Sequence, residues 1–341
     1  MANDQVKQPA QVTSAEGVLP TIEKSLVERL GAYWILGVLM AMIVIFGITA
    51  PGFLTLQNWV STSVYATETL LLAIGETFVI ATGGIDLSVG STLGLSAITS
   101  SLVMAAMAND VGLNVVVGIL VGLITGGGVG LINGLIITKM RITPFITTLG
   151  MLGIASGLGF LLSGGNTITN IPSALSAFGG YVFANFLGMP VLLTAVIAVA
   201  CGLILAKTRF GRHTYAIGSN REAARVAGIS IDRHLIAIYV LTGTLAGVAG
   251  LLNVSRFAIG SPTAGQNDEL NAIAAVVIGG ASLFGGEGTI FGTTIGALIV
   301  SMLVTALVIL NVPAYWQIVA TGTIIIMAVY VDQLQKRRPE N

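Results

Sequence analysis

Long apolar runs recur from Tyr33 to Val331, each interrupted by a short polar, proline- or glycine-bearing stretch. The runs fall near residues 32–50, 60–82, 88–107, 113–137, 143–163, 189–206, 235–257, 271–285, 290–310 and 316–331. A bilayer core of ~30 Å needs ~20 apolar residues in a helix, so the pattern predicts an all-α integral membrane protein with about ten transmembrane helices. The segment 164–188 is too long for a tight turn and only partly apolar, which predicts a short outer helix or a half-span there. In the fourth run Gly122, Gly126, Gly130 and Gly134 recur at every fourth position and share one helix face, and Gly243 and Gly247 repeat the spacing in the seventh. Such small-residue stripes let two membrane helices approach closely. The stretches GGIDLSVG (83–90) and GGASLFGG (279–286) echo one another as GGxxLxxG, too briefly to establish a duplication.

Composition agrees with the pattern. Charged residues make up 9% of the chain and mean hydropathy is +0.92, whereas soluble domains carry roughly 25% charge. Net charge is zero, which argues for no nucleic-acid partner. The single cysteine, Cys201, has no second thiol for a disulfide or a metal site, and no metal is expected. Lys and Arg cluster around Lys24 and Arg29, at Lys139 and Arg141, through 207–233 and at 336–338. With ten spans all four clusters fall on one side, which Lys/Arg enrichment marks as cytoplasmic, with both termini there. Residues 1–30 read as a cytosolic tail with a short interfacial helix, 31–331 as the membrane domain with a cytosolic loop at 207–234, and 332–341 as a cytosolic tail. The first twenty residues are polar and do not look like a signal peptide.

The loop 207–234 holds eight of the thirty charged residues and both histidines, His213 and His234. Within it SNREAARVAG predicts a short helix: Ser219 as N-cap, Glu222 closing a capping box, Gly228 as the residue after the C-cap. Ala223, Ala224 and Ala227 supply small side chains for a close partner, and Arg221 and Arg225 form a charged stripe. So short a helix is marginal alone in water, so it lies on the membrane surface or docks on a partner.

EAARVAG (222–228) resembles the EAA signature of the membrane subunits of bacterial ATP-binding-cassette (ABC) importers. TGGIDLSVGS (82–91), TPFITTLG (143–150), GRHTYAIGSN (211–220) and PTAGQNDELNAIAAVVIGGASLFGGEGTIFGTTIGA (262–297) extend the likeness to the ribose-type monosaccharide permeases over most of 55–331. The resemblance implies a permease of the bacterial plasma (inner) membrane that is not itself an enzyme. It implies a homodimer, with an extracytoplasmic sugar-binding protein that delivers a small sugar. It further implies a cytosolic ABC ATPase that binds ATP and magnesium and engages Ser219, Arg221, Glu222, Ala223, Ala224, Arg225 and Gly228. Asn271 stands where that family commonly has Asp. This chain has no ATP site of its own: CGLILAKT (201–208) has Cys201 and Ala206 where a phosphate-binding loop needs glycine.

Acidic and amide residues inside apolar spans are costly and face a partner or a watery cavity. Asp86, with Ser88, either lines a polar passage or N-caps the third span at the cytoplasmic surface. Glu68 and Glu76 lie eight apart, within about 80° on a helix, and can share a polar face. Asn133 reads as an interhelical hydrogen-bonding group or a ligand contact, and Asn271 completes the candidate path. Asp268 and Glu269 are expected at the outer end of the eighth span, as a turn or a docking point for the binding protein. Permeases for a nucleoside or a branched-chain amino acid remain alternatives, as does a proton-coupled secondary transporter using the buried acids.

Overall fold

Residues 34–107 and 112–336 are described by a computed structural model. The tail and interfacial helix expected in 1–30, the turn around Asn109 and the residues after Lys336 lie outside the described residues. The helices are α1 (Trp34–Thr49), α2 (Leu56–Ala81), α3 (Val89–Ala106), α4 (Leu113–Lys139), α5 (Pro144–Ser163), α6 (Ser173–Gly180), α7 (Met189–Lys207), α8 (Arg209–Ser219), α9 (Arg221–Val226), α10 (Ile231–Phe257), α11 (Asp268–Ile278), α12 (Ile290–Ile309) and α13 (Ala314–Lys336). Among the described residues seven are long and apolar enough to cross a membrane: α2 to α5, α7, α10 and α12. The segment 164–188 forms α6 and a minimal hairpin, β1 (Val182–Phe183) with β2 (Leu187–Gly188), as its mixed polarity predicts.

Local chemistry sets the boundaries. Thr55 Oγ1 accepts the Asn58 N–H and Thr289 Oγ1 the Gly292 N–H, so each threonine caps the helix it precedes. Pro144 starts α5 without wasting a donor, and Gly164, at φ +61°, ends it in a left-handed cap. The core is built on α2 and α10, whose Leu71, Ile74, Phe78, Ile238 and Tyr239 are fully enclosed. α4, α5 and α7 instead leave Ile124, Ile154 and Val196 exposed, the apolar faces expected of helices bordered by lipid.

The glycine stripe of α4 packs on α10, as its spacing predicts. A methyl on Gly126 would strike the Gly243 carbonyl and one on Gly130 the Tyr239 carbonyl, while Gly247 faces the Gly122 carbonyl. The two backbones touch, leaving no room for side chains.

The eighth expected span is corrected. Helix α11 stops at Ile278 after 11 residues, about 16 Å, too short to cross. The segment leading into it is non-helical. Gly260 exchanges backbone hydrogen bonds with Ile168 (2.7 and 2.9 Å), and the chain then follows α3, passing Ser101 at Gly260 and Gly90 at Gly265. That is a descent of about 16 Å along α3 before α11 begins.

Candidate functional site

The charged loop folds into two helices. Thr208 caps α8, which turns Gly211, Thr214 and Ile217 inward. Gly211 lies so close to the Leu205 backbone that no side chain fits there, making α7–α8 a tight corner. Tyr215 Oη donates to the Gly288 carbonyl at 2.6 Å, and burial raises its phenol above the ordinary value of 10.0, keeping it a donor. Thr214 Oγ1 lies 2.9 Å from His234 Nε2, tying α8 to the first turn of α10.

The predicted helix is α9, shorter than expected at six residues. Its N-cap is Asn220, whose Oδ1 accepts the Ala223 N–H at 2.9 Å; Ser219 instead ends α8, so the Ser219–Glu222 capping box does not form. Glu222 takes the Arg225 guanidinium through both carboxylate oxygens, at 2.9 and 3.0 Å, on the exposed side. Gly228 adopts φ +83° just beyond the C-cap Ala227, as predicted. Only Ala224 of α9 is buried, against Ile217, Ile231 and Leu235; Arg221 and Ala223 are exposed. Val226 is 89% exposed. Sequence reasoning passed over it, although an apolar side chain that the buried face does not use was a readable signal.

Behind α9 the two GGxxLxxG echoes meet. Gly286 N–H donates to the Ala81 carbonyl at 3.0 Å. A methyl on Gly218 would press on that same carbonyl and lie 2.5 Å from Gly286 N. Gly83 and Gly285 hold φ of 79° and 88°, conformations that favour glycine. The C-terminus of α8 thus rests directly on the end of α2 and on the loop joining α11 to α12.

One turn inside that junction lie the buried acids. Asp86 is 2% exposed, and the N-cap of α3 is Ser88 rather than Asp86. Its Oδ1 accepts the Ser88 N–H (2.9 Å) and hydroxyl (2.6 Å), an Asx turn that leads into α3. Asn133 Nδ2 donates to Ser88 Oγ at 2.9 Å, the interhelical bond expected of it, and the Asp86 N–H donates to Glu76 Oε1 at 3.2 Å. Glu68 has other company: Asn253 Nδ2 at 2.9 Å and Arg256 Nη1 at 3.6 Å, with Arg256 stacked on Tyr65 and Phe257. Glu68 and Glu76 are both buried on α2 but share none of these partners.

Asp268 and Glu269 do not sit at an outer edge. Glu269 lies against Gly90 near the start of α3. Asp268 lines a cavity with Tyr65, Asn271, Gln317 and Thr321, and Tyr65 lies about 14 Å along α2 from its first residue. The turn formers around them, which suggest a surface loop, line the inward descent instead. Asn271 Nδ2 donates to Asp268 Oδ1 (3.3 Å) and Thr321 Oγ1 to Asn271 Oδ1 (3.4 Å). Sequence reasoning missed Tyr65, Gln317 and Thr321.

The Glu68 pair yields a prediction. Arg256→Gln should lower stability by about 2 kcal/mol, below the cost of breaking a fully enclosed pair because Arg256 is partly exposed. Arg256→Lys should restore most of it. Thermal melting of the purified chain reads this, and identical melting of all three proteins would mean that Glu68 carries no charge in the fold.

A many-helix membrane bundle with a broken span, buried polar groups and a short uncovered surface helix has the architecture of a transport permease. Residues 58–328 match the family described as the permease component of branched-chain amino acid transport systems, and the chain belongs to that family. Among its relatives the ribose import permease of Bacillus subtilis is 43% identical over 300 residues, covering 86% of this chain and 90% of that one. The D-allose transport system permease of Escherichia coli is 35% identical over 311 residues (90% and 92%). The galactose/methyl galactoside import permease of Salmonella typhimurium is 36% identical over 321 residues (90% and 95%). No solved structure matches the chain.

Proposed function

We propose that the chain forms the transmembrane path of an ATP-driven importer for ribose or a closely related monosaccharide. The observation that carries the coupling mechanism is the seat of α8–α9: Ala224 pins α9 inward, its outer face is exposed, and Gly218 bears on the end of α2 and on the α11–α12 loop. The names of the relatives supply the substrate class. A cytosolic ABC ATPase receives α9 through Arg221, Glu222, Ala223 and Val226, and an extracytoplasmic sugar-binding protein loads the opposite end. ATP and magnesium bind the ATPase, not this chain. One α9 per chain facing two nucleotide sites calls for a homodimer with the path on its twofold axis. Lys139, Lys207 and Arg209 lie at the α8–α9 end, and Lys/Arg enrichment supports the reading that this end, with both termini, faces the cytoplasm of a bacterium bounded by this plasma (inner) membrane.

Glu68, Glu76, Asp86, Ser88, Asn133 and Asn271 supply polar groups along the path, with Asp268 and Thr321 beside Asn271. Movement of α8 on Ala81 and Gly286 opens and closes the inner end. Branched-chain amino acid import is the second reading, and the family description favours it.

Proteoliposomes with the ATPase and a ribose-binding protein should take up ribose on adding ATP and exclude leucine. Thr321→Val removes one hydrogen bond, at about 1 kcal/mol, and should slow sugar flux about 5-fold while the binding protein still stimulates ATP hydrolysis. Uphill uptake by this chain alone on a proton gradient would overturn the reading.

A further inference from the structure

The turn joining α4 to α5 (residues 140–143) and the corner joining α9 to α10 enclose an open cleft. Five basic side chains, Lys139, Arg141, Arg221, Arg225 and Arg233, line it. Glu222 is occupied by Arg225, which leaves Asp232 as the one other acid of the lining. Among the described residues Lys139, Arg141, Arg221 and Arg233 form no ion pair within 4.0 Å. Arg141, at φ +57°, turns the chain sharply, so that the last residue of α4 and the turn itself furnish one wall. Four cations without an acidic partner within 4.0 Å line one hollow that also carries Asp232, a net positive lining suited to an anion with several oxygens, of which a phosphate ester is the natural case.

The same wall continues into apolar surface. Met140 is 66%, Phe145 51% and Ile146 61% exposed, at the turn and in the first residues of α5. A soluble anion gains nothing from these side chains, whereas a lipid with an anionic head and acyl chains uses both surfaces. We propose that the cleft binds the headgroup of an anionic phospholipid, with its phosphate among Lys139, Arg141, Arg221 and Arg233 and its chains along α5. The lipid braces the α4–α5 turn against the α9–α10 corner. The site requires that the α8–α9 end lie at a membrane surface; it shares Arg221 with the face offered to the ATPase, has Lys139, Arg141 and Arg233 to itself, and does not depend on the transported solute.

The test uses the full chain in nanodiscs of phosphatidylcholine with a minority of phosphatidylglycerol, released and weighed by native mass spectrometry. Phosphatidylglycerol should be retained in preference to phosphatidylcholine. The Lys139→Gln/Arg141→Gln double variant should lose this preference about 30-fold, and the Lys139→Arg/Arg141→Lys pair should keep it. Equal melting of wild type and double variant in pure phosphatidylcholine verifies folding. If the double variant fails to fold, Lys139→Gln alone, expected to lose about 5-fold, decides the matter. Equal retention of the two lipids overturns the proposal. Displacement by millimolar inorganic phosphate overturns the lipid assignment in favour of a free anion. Loss of ATPase affinity in the double variant with lipid retention unchanged overturns it too, because the cleft is then a seat for an acidic protein surface.

Discussion

An importer carrying Gly218→Ala should bind its ATPase and hydrolyse ATP while moving almost no sugar. The added methyl meets two backbone groups, the Ala81 carbonyl and the Gly286 N–H, which are hydrogen-bonded to each other at 3.0 Å. Neither can swing aside as a side chain would, so the end of α8 must lift by about 1 Å to restore normal contact. The α9 surface is untouched, so docking survives, but the seat through which displacement reaches α2 and the α11–α12 loop is lost. We expect sugar flux per ATP to fall roughly 10-fold, within the range of ordinary coupling between two sites. Gly150→Ala, in α5, is the control: no atom lies within 4 Å of the added methyl and the position has no positive φ, so it should transport near normally. Normal sugar-to-ATP stoichiometry in Gly218→Ala would remove α8 from the transmission route.

The largest effect on the fold is expected from Gly130→Leu. Its first side-chain atom would overlap the Tyr239 carbonyl, with Val240 Cα 3.1 Å away, so α4 and α10 cannot keep their contact. Overpacking ordinarily costs about 1–3 kcal/mol; backbone against backbone, with no rotamer to relieve it, belongs at or above the top of that range. Tyr239 is displaced with its helix, and it stands in the layer of Asp86 and Glu76. The variant should be recovered in low yield with a melting temperature many degrees lower. Gly128→Leu, two positions away with nothing within 4 Å, should melt like wild type. Equal melting of the two variants would show that the stripe does not set the α4–α10 distance.

What could be read from the chain depended on how far each signal reached. The glycine stripe and the short helix α6 follow from periodicity and polarity within one segment, and both stand in the structure. The half-length of α11 does not follow from hydropathy, because Ala281, Leu283 and Phe284 continue the apolar run after the helix has ended. The available clue was the pair of glycine doublets at 279–280 and 285–286, echoing 83–84. Ser219 and Asn220 are both capping residues, and only the continuation of α8 through Ser219 chooses between them. Asp268 and Glu269 were placed too far out because SPTAGQND reads as a surface turn. Its depth is set by close approach to α3 at Gly90, a contact remote in sequence. The partners of Glu68 likewise come from α10, and Arg256 looks from sequence alone like the edge of a loop.

The unwound descent at 260–267 bears on how the chain is made. A ribosome-bound translocon releases segments into lipid as helices that satisfy their own backbone, and this stretch cannot do so. It must wait beside the channel until α3 presents its glycines, Gly90 against Gly265 and Gly94 against Ala264. Biogenesis therefore has an ordering step after residue 257, with a partly inserted intermediate open to quality control. Nascent chains carrying Gly94→Leu, which fills the place of the Ala264 carbonyl, should stay sensitive to protease within 258–278 longer than wild-type chains of the same length.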